Sequence, residues 1–93
     1  MTTKNHHRCE IEIAASILSS VNSNPKRKTL IMNAVNLNHS VLEKHLTRLL
    51  GVGFLCKVND SYQLTAEGVA FVEEFERFRT IEEKLFKNDN TVE

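Results

Sequence analysis

Glycine is scarce in this chain, and its scarcity argues against a large class of functions. Only three of the 93 residues are glycine, and none belongs to a glycine-rich loop of the kind that cradles phosphates. The sequence also lacks a recognisable arrangement of nucleophile, general base and oxyanion donor. It therefore predicts that the protein is not an enzyme.

Cysteine is equally rare, since the chain holds only Cys9 and Cys56. These two do not form a Cys-x-x-Cys pair, and no spacing of histidine and cysteine is typical of a zinc site. We therefore expect no metal and no cofactor. The thiols are expected to be either free and buried or joined in a disulfide, within the chain or between subunits, and the sequence leaves both states open.

Long apolar runs are missing as well. No stretch approaches the roughly 18 to 20 apolar residues needed to cross a bilayer, and the amino end lacks the apolar segment of a secretory signal. We therefore expect a soluble, cytoplasmic protein with no membrane partner. With 41% hydrophobic residues, the chain can form one small domain with a thin core, and a thin core favours dimerisation.

Charge is balanced over the whole chain but not along it. Residues 1–57 hold eight Lys or Arg against three Glu, and residues 58–93 hold four against nine Asp or Glu. All four histidines lie in the basic part. The first part is therefore expected to attract polyanions, while the acidic excess sits on a separate element.

A helix-turn-helix pattern follows Pro25, the only proline. Apolar residues at helical spacing predict a first helix over residues 10–21 and a second from about residue 27 or 28 to 35. The second helix is expected to bury Leu30, Ile31 and Ala34. Residues 36–38 form the turn, in which Leu37 is expected to pack into the core and Asn38 to cap the next helix. This third helix continues to about Leu50.

The third helix has two distinct faces. Leu42, Leu46 and Leu49 form one apolar stripe, and polar side chains occupy the opposite arc. His45 falls at the edge of the stripe and is expected to be packed. The polar arc predicts a recognition helix that can enter a DNA groove.

A short β-hairpin follows the third helix. Gly51 suits a left-handed cap, residues 54–58 and 62–64 predict two strands, and the turn between them carries Asn59 and Asp60. Thr65 is expected to cap a final helix that runs to about residue 87. The fold class is mainly α with a short β-hairpin: a winged helix-turn-helix in residues 1–65 and a long C-terminal dimerisation helix in residues 66–93.

The final helix has two apolar faces and therefore predicts two packing partners. Val69 and Val72 are expected to face their own domain, while a phenylalanine-rich stripe faces a second chain, because monomers rarely expose so large an apolar patch. The alternative is that this helix folds back over its own domain. The predicted dimer interface comprises Phe71, Phe75, Phe78, Ile81, Glu82 and Leu85.

The candidate DNA contacts come from three places. The basic run at the start of the second helix suits phosphates, the turn and polar arc suit bases and phosphates, and the wing suits the adjacent groove or backbone. Asp60 at the wing tip opposes the last of these, and Glu43 could equally pair with Lys44 or Thr47. The predicted DNA-binding residues are Lys26, Arg27, Lys28, Asn38, His39, Ser40, Glu43, Lys44, Thr47, Arg48, Lys57 and Asn59.

Residues 25–32, the Asn36-Leu37 turn, the leucines that follow and residues 49–55 together resemble the small archaeal winged-helix DNA-binding proteins of about ten kilodaltons. The run from Tyr62 to Gly68 resembles their strand-to-helix junction. This resemblance covers roughly residues 9–87. It implies a homodimer joined by an antiparallel coiled coil of the last helices, with two winged domains on double-stranded DNA. That family is generally basic, whereas this chain is neutral.

Two functions compete on these grounds. The first is a dimeric, nucleoid-associated protein that binds double-stranded DNA as a transcription regulator or as a chromatin or architectural protein. The second is a protein-interaction module that retains the winged-helix fold and uses its phenylalanine stripe or acidic helix to bind another polypeptide.

Overall fold

The computed structural model describes the backbone of residues 2–92 and the side chains of residues 10–86. Over these residues the predicted fold class is confirmed, a winged helix with a small antiparallel sheet and a long C-terminal helix. The elements in chain order are α1 (Thr2–Ser20), β1 (Lys26–Arg27), α2 (Lys28–Val35), α3 (His39–Gly51), β2 (Leu55–Val58), β3 (Ser61–Leu64) and α4 (Ala66–Val92).

One core joins these elements. Its fully buried side chains come mainly from α1, α2 and α3, and each one is worth about 1.5–3 kcal/mol of burial free energy. The sheet contributes Leu55 and Tyr62, and α4 contributes Val72. The remaining core residues are Ile17, Leu18, Val21, Ile31, Leu42, Leu46 and Leu49.

Fewer side chains of α2 are buried in the core than the sequence predicted. Ile31 is fully buried, but Leu30 is 52% exposed and Ala34 is also exposed, so the prediction was wrong for these two residues. The helix has only eight residues. Neighbouring residues on a helix point about 100° apart, so a helix this short buries only a narrow strip.

The sheet has three strands rather than a hairpin alone. β2 and β3 pair antiparallel as predicted, and β1 adds to the outer side of β3 through Lys26 opposite Tyr62 and Arg27 opposite Ser61. Lys26 and Arg27 therefore lie in a strand, not at the start of a helix. A strand of two residues has no periodicity to detect, and its partner lies far away in the sequence.

A Schellman motif, rather than a cap at Gly51, ends α3. Gly51 is still helical, and Gly53 takes the left-handed conformation with φ of 87°. The Phe54 amide donates to the Leu49 carbonyl over 3.0 Å, and the Gly53 amide donates to the Leu50 carbonyl over 3.2 Å. The prediction chose the wrong glycine of the pair.

Thr65, which lies between the sheet and α4, caps α4 as predicted. Its hydroxyl accepts from the Gly68 amide over 3.0 Å and donates to the Gly53 carbonyl over 2.6 Å. The N-cap of α4 is thus tied directly to the turn that ends α3. Gly68 is buried here, with Leu64 and the Phe54 carbonyl packed against its Cα.

The two long helices exceed their predicted limits. α1 begins at Thr2 rather than near residue 10, and α4 ends at Val92 rather than near residue 87. The added segments lack the apolar repeat that marks a helix buried on one face. The 27 residues of α4 span about 40 Å at 1.5 Å each, in a molecule whose longest dimension is 53 Å.

Cys56 is a free thiol that lies exposed on β2, so the expectation of buried thiols was wrong for this residue. Cys9 lies outside the described side chains. Across the described part of the chain, no helix combines the length and apolarity that membrane crossing requires.

Close packing at the Thr65–Gly68 junction predicts that alanine destabilises the protein at Gly68 but not at Gly51. In Gly68→Ala the new Cβ would clash with the Phe54 carbonyl oxygen and lie 2.8 Å from Leu64 Cδ1. We expect a loss of about 1–3 kcal/mol in the free energy of unfolding, although alanine favours helices. Urea unfolding followed by circular dichroism at one protein concentration measures the change.

Gly51→Ala is the matched control, because no atom lies within 4 Å of the position that its new methyl group would occupy, and the residue is already helical. This variant should gain up to about 1 kcal/mol from helix propensity. A Gly68→Ala variant as stable as wild type would show that close packing at this junction does not limit the fold.

Candidate nucleic-acid interface

The turn between α2 and α3 sets the direction in which α3 leaves the core. Asn36 ends α2 in the left-handed conformation with φ of 58°, which asparagine tolerates better than most residues. Leu37 then packs partly into the core, as predicted. Asn38 caps α3, as predicted, by accepting the Val41 amide on its side-chain oxygen over 2.9 Å.

The two faces of α3 divide as the sequence predicted. Leu42, Leu46 and Leu49 are buried against the rest of the domain. The opposite arc is open to solvent within this chain, and it carries two cations together with short polar side chains. The exposed residues of this arc are His39, Ser40, Lys44, Thr47 and Arg48.

His45 is packed at the edge of the core and does not belong to the open arc. It is 7% exposed, which confirms the expectation of a packed histidine. Burial lowers the pKa of the His45 imidazole, the positive charge of Arg48 lowers this pKa further, and the Glu10 carboxylate opposes both. The neutral ring is therefore the form that the fold favours.

Two of the three basic side chains predicted to bind phosphate, those of Lys26 and Lys28, already have partners within the chain. The Lys26 ammonium donates to the Ser20 carbonyl over 2.6 Å, at the C-terminal end of α1 where the helix dipole favours a cation. Lys28, the first residue of α2, forms an ion pair with a residue of α3. Of the three side chains, only that of Arg27 is exposed.

Glu43 forms an ion pair with Lys28 across the two helices, not with Lys44 or Thr47 on its own helix. The Lys28 ammonium lies 2.5 Å from Glu43 Oε2 and 3.4 Å from His39 Nε2. The hydrogen bond from Lys28 lowers the pKa of the Glu43 carboxyl. Nearby positive charge on Lys28, His39 and Lys57 lowers this pKa further, against an opposing effect of desolvation.

The wing adds Lys57 to the same surface. Its ammonium lies 5.4 Å from the centroid of the Tyr62 ring, and its strand, β2, is in contact with α3. Asn59 holds the hairpin tip with φ of 59°, a conformation in which asparagine is favoured, and the exposed Asp60 follows it. Of the predicted residues, Lys28, His39 and Lys57 thus lie around Glu43, and they come from α2, α3 and the wing.

The predicted dimer stripe on α4 divides into two parts. Phe71 and Phe75 are half-buried against their own domain, and Phe71 stacks on Phe54 with ring centroids 5.1 Å apart. Further along α4, four apolar side chains are 51–61% exposed, a degree of exposure that is unusual for residues of this size. These exposed residues are Phe78, Ile81, Leu85 and Phe86.

A groove of about 290 Å³ lies between α1 and α4, beside the exposed stripe. Glu82, predicted at the interface, is half-buried here and already has an interaction within the chain. Sequence reasoning did not predict Ile11 as a member of this surface, because it is one of the apolar residues whose helical spacing predicts α1, yet it is 53% exposed. The groove is lined by Ile11, Glu12, Phe75, Phe78, Arg79 and Glu82.

Among the side chains of residues 10–86, no group of three or more His, Cys, Asp or Glu is placed to hold a metal ion. The surface consists instead of a helix face, a wing and cations. That chemistry suits an extended anionic partner rather than a small bound ligand.

A three-residue turn between two helices, followed by a hairpin packed beside the second, defines a winged-helix domain. The profile of the winged helix-turn-helix family matches residues 7–83, and the chain belongs to this family. Among solved structures it is similar to Sso10a-2, a DNA-binding protein from Sulfolobus solfataricus, at 28% identity and a TM-score of 0.75. The match covers 88% of this chain and 90% of that chain.

The comparison with curated proteins gives no match. The two matches above nonetheless confirm the predicted resemblance to small archaeal winged-helix proteins.

The buried His45 predicts that acid destabilises the domain. Unfolded His45 takes up a proton near its usual pKa of about 6.5, and the folded state resists this uptake. The stabilisation is therefore present above about pH 6.5 and is lost as the pH falls. Urea unfolding at pH 5.5 and 7.5 should show a smaller pH dependence for His45→Gln than for wild type.

His39→Gln is the matched control, since this exposed histidine lies on the same helix. Its pH dependence should differ from that of wild type by less than that of His45→Gln does. An unchanged pH dependence in His45→Gln would contradict the assignment of the acid effect to the buried ring.

Proposed function

We propose that the protein is a homodimer that binds double-stranded DNA, with α3 in the major groove and flanking cations on phosphates. The observation that carries this proposal is the open polar face of α3, which presents Lys44 and Arg48 while its opposite face is buried. The winged-helix family and the similarity to a DNA-binding protein support DNA as the partner. A winged helix alone does not specify a function, so the charged face is essential.

The exposed arc offers the side chains that base edges require. Lys44 and Arg48 suit guanine O6 and N7 or nearby phosphates, and Ser40 and Thr47 can donate or accept. His39 lies at the amino end of α3, where contacts to bases concentrate in helix-turn-helix proteins. Arg27 on β1 and Lys57 on β2 are exposed cations that suit phosphates.

Three of the candidate residues fit a supporting role better. The Lys26 ammonium and the Asn38 side-chain oxygen already bond to the backbone of the chain, and Asn59 is needed for the left-handed turn of the wing. We infer that these residues hold α1, α3 and the hairpin in position beside DNA.

The homodimer is supported by the exposed end of α4. A second copy packed on Phe78, Ile81 and Leu85 would remove this apolar area from water, at about 25 cal/mol for each Å². In this arrangement residues 1–65 bind DNA and residues 66–93 form the dimer. It also spaces two α3 helices for two half-sites.

Both a transcription regulator and a chromatin or architectural protein use this geometry, and either role would place the protein at the nucleoid. The rival function, a protein-interaction module, draws on the same exposed stripe. The two functions differ in whether the open face of α3 binds DNA. Removal of a positive charge from that face should weaken duplex binding only if the face binds DNA.

Lys44→Gln tests the proposed DNA contact without removing an intramolecular bond, because Lys44 is exposed and forms no hydrogen bond or ion pair among the described residues. The slope of log K against log salt is negative, and loss of one phosphate contact should make it shallower by about 0.9. At about 0.1 M salt, this change weakens binding on the order of fivefold. Fluorescence anisotropy with a labelled duplex measures both.

Lys84→Gln is the matched control, since it removes the same charge from an exposed site on α4. Its affinity and salt slope should stay close to those of wild type. Equal losses in both variants would point to net charge alone, and absence of duplex binding by micromolar wild-type protein at low salt would reject DNA as the partner.

Ile81→Glu tests the dimer. An unpaired carboxylate in the apolar contact should cost a few kcal/mol, which corresponds to roughly a hundredfold increase in the dimer Kd. Sedimentation equilibrium should show wild type as a dimer and the variant shifted to monomer at micromolar concentration.

Leu30→Glu controls for the added charge, because Leu30 is 52% exposed and Ile81 is 51% exposed, but Leu30 lies on α2. It should remain dimeric. A monomeric wild type, or an Ile81→Glu variant that dimerises as wild type does, would contradict the proposed interface.

A further inference from the structure

The Lys28–Glu43 ion pair lies within the surface proposed for DNA, and it involves an acid in an otherwise basic region. Glu43 is the only acidic residue between Glu12 and Asp60. Its side chain is 44% exposed, so it is accessible from the open side of α3. The pair therefore presents a carboxylate to any partner that approaches this face.

The Lys28 ammonium is poorly placed to bind a DNA phosphate in this arrangement, because it is already paired with Glu43. Its side chain is 28% exposed, and its ammonium donates to Glu43 Oε2 over 2.5 Å while His39 Nε2 lies 3.4 Å away. A duplex phosphate that reaches this ammonium must displace a charge-assisted hydrogen bond. It must also come close to the Glu43 carboxylate, which repels it.

The residues around the pair show that the local balance of charge depends on Glu43. Lys28, His39 and Lys57 all act on its carboxylate, and they come from three different elements, α2, α3 and the wing. Without Glu43 this point of the surface would be a cluster of basic side chains alone. Glu43 offsets one of their charges at the position where three elements meet.

We propose that Glu43 competes with DNA phosphate for Lys28 and thereby restrains sequence-independent binding. This inference rests on the proposed DNA-binding function. Phosphate contacts carry no sequence information directly, and they supply essentially all of non-specific affinity. A carboxylate that occupies one cation lowers that affinity for every sequence and leaves the remaining arc of α3 to discriminate among bases.

The test compares Glu43→Gln with wild type on a duplex of mixed sequence, by fluorescence anisotropy over a series of salt concentrations. Glutamine keeps the size of the side chain and removes its charge. The freed Lys28 should make the negative slope of log K against log salt steeper by about 0.9 and raise the affinity on the order of fivefold at about 0.1 M salt. Glu43→Ala should give the same direction of change.

Two further variants show whether the gain passes through Lys28. Glu73→Gln removes an exposed carboxylate from α4 and should change neither slope nor affinity to this extent. In a Lys28→Gln background, Glu43→Gln should no longer steepen the salt slope. Circular dichroism of all variants verifies that the fold is retained.

Three results would overturn the inference: an unchanged or weaker affinity in Glu43→Gln, a gain no larger than that of Glu73→Gln, or a steeper slope that persists without Lys28. Each of these requires that wild type binds the duplex. A wild-type protein that does not bind at low salt would instead reject the proposed function, so the two failures are distinguishable.

Discussion

Burial of the leucine stripe of α3 is the constraint on which the remaining structure depends. Leu42 and Leu46 are fully buried and Leu49 nearly so, and together they hold α3 against the rest of the domain. A helix anchored along one side can rotate little about its axis, because rotation would bring leucines into water and polar groups into the core. The open arc is thus the physical complement of the core, and its cations are displayed because the leucines are hidden.

Periodicity predicted the parts of the molecule that depend on one helix or one hairpin at a time. The helix-turn-helix, the Asn38 cap, the packed His45, the wing and the Thr65 cap all arise from residues close in sequence, so local patterns identify them. The opposite faces of α3 follow from the spacing of its leucines for the same reason. Most of the fold and the outline of the candidate site could therefore be predicted.

Several features that sequence reasoning missed depend on contacts between elements. Strand β1 exists because β3 lies beside it, and Glu43 pairs with Lys28 because α2 and α3 cross at that point. Gly51 and Gly53 offer the same conformational freedom, and only the path from α3 into β2 decides which one takes the left-handed conformation. A pattern shows which residues can ionise or bend, whereas three-dimensional packing decides which partner each one meets.

The distribution of charge links the helix face to the proposed dimer. The chain is neutral as a whole, yet half of its basic residues lie on β1, α2, α3 and the wing, while many of its acids lie on α4. In a dimer joined through α4, the acidic helices would lie together and repel phosphate, while the two α3 faces would attract it. A duplex would then be steered onto the recognition faces by attraction and away from the α4 helices by repulsion. Because the opposing charges cancel in the total, such a protein can orient DNA without the large net positive charge that favours indiscriminate binding.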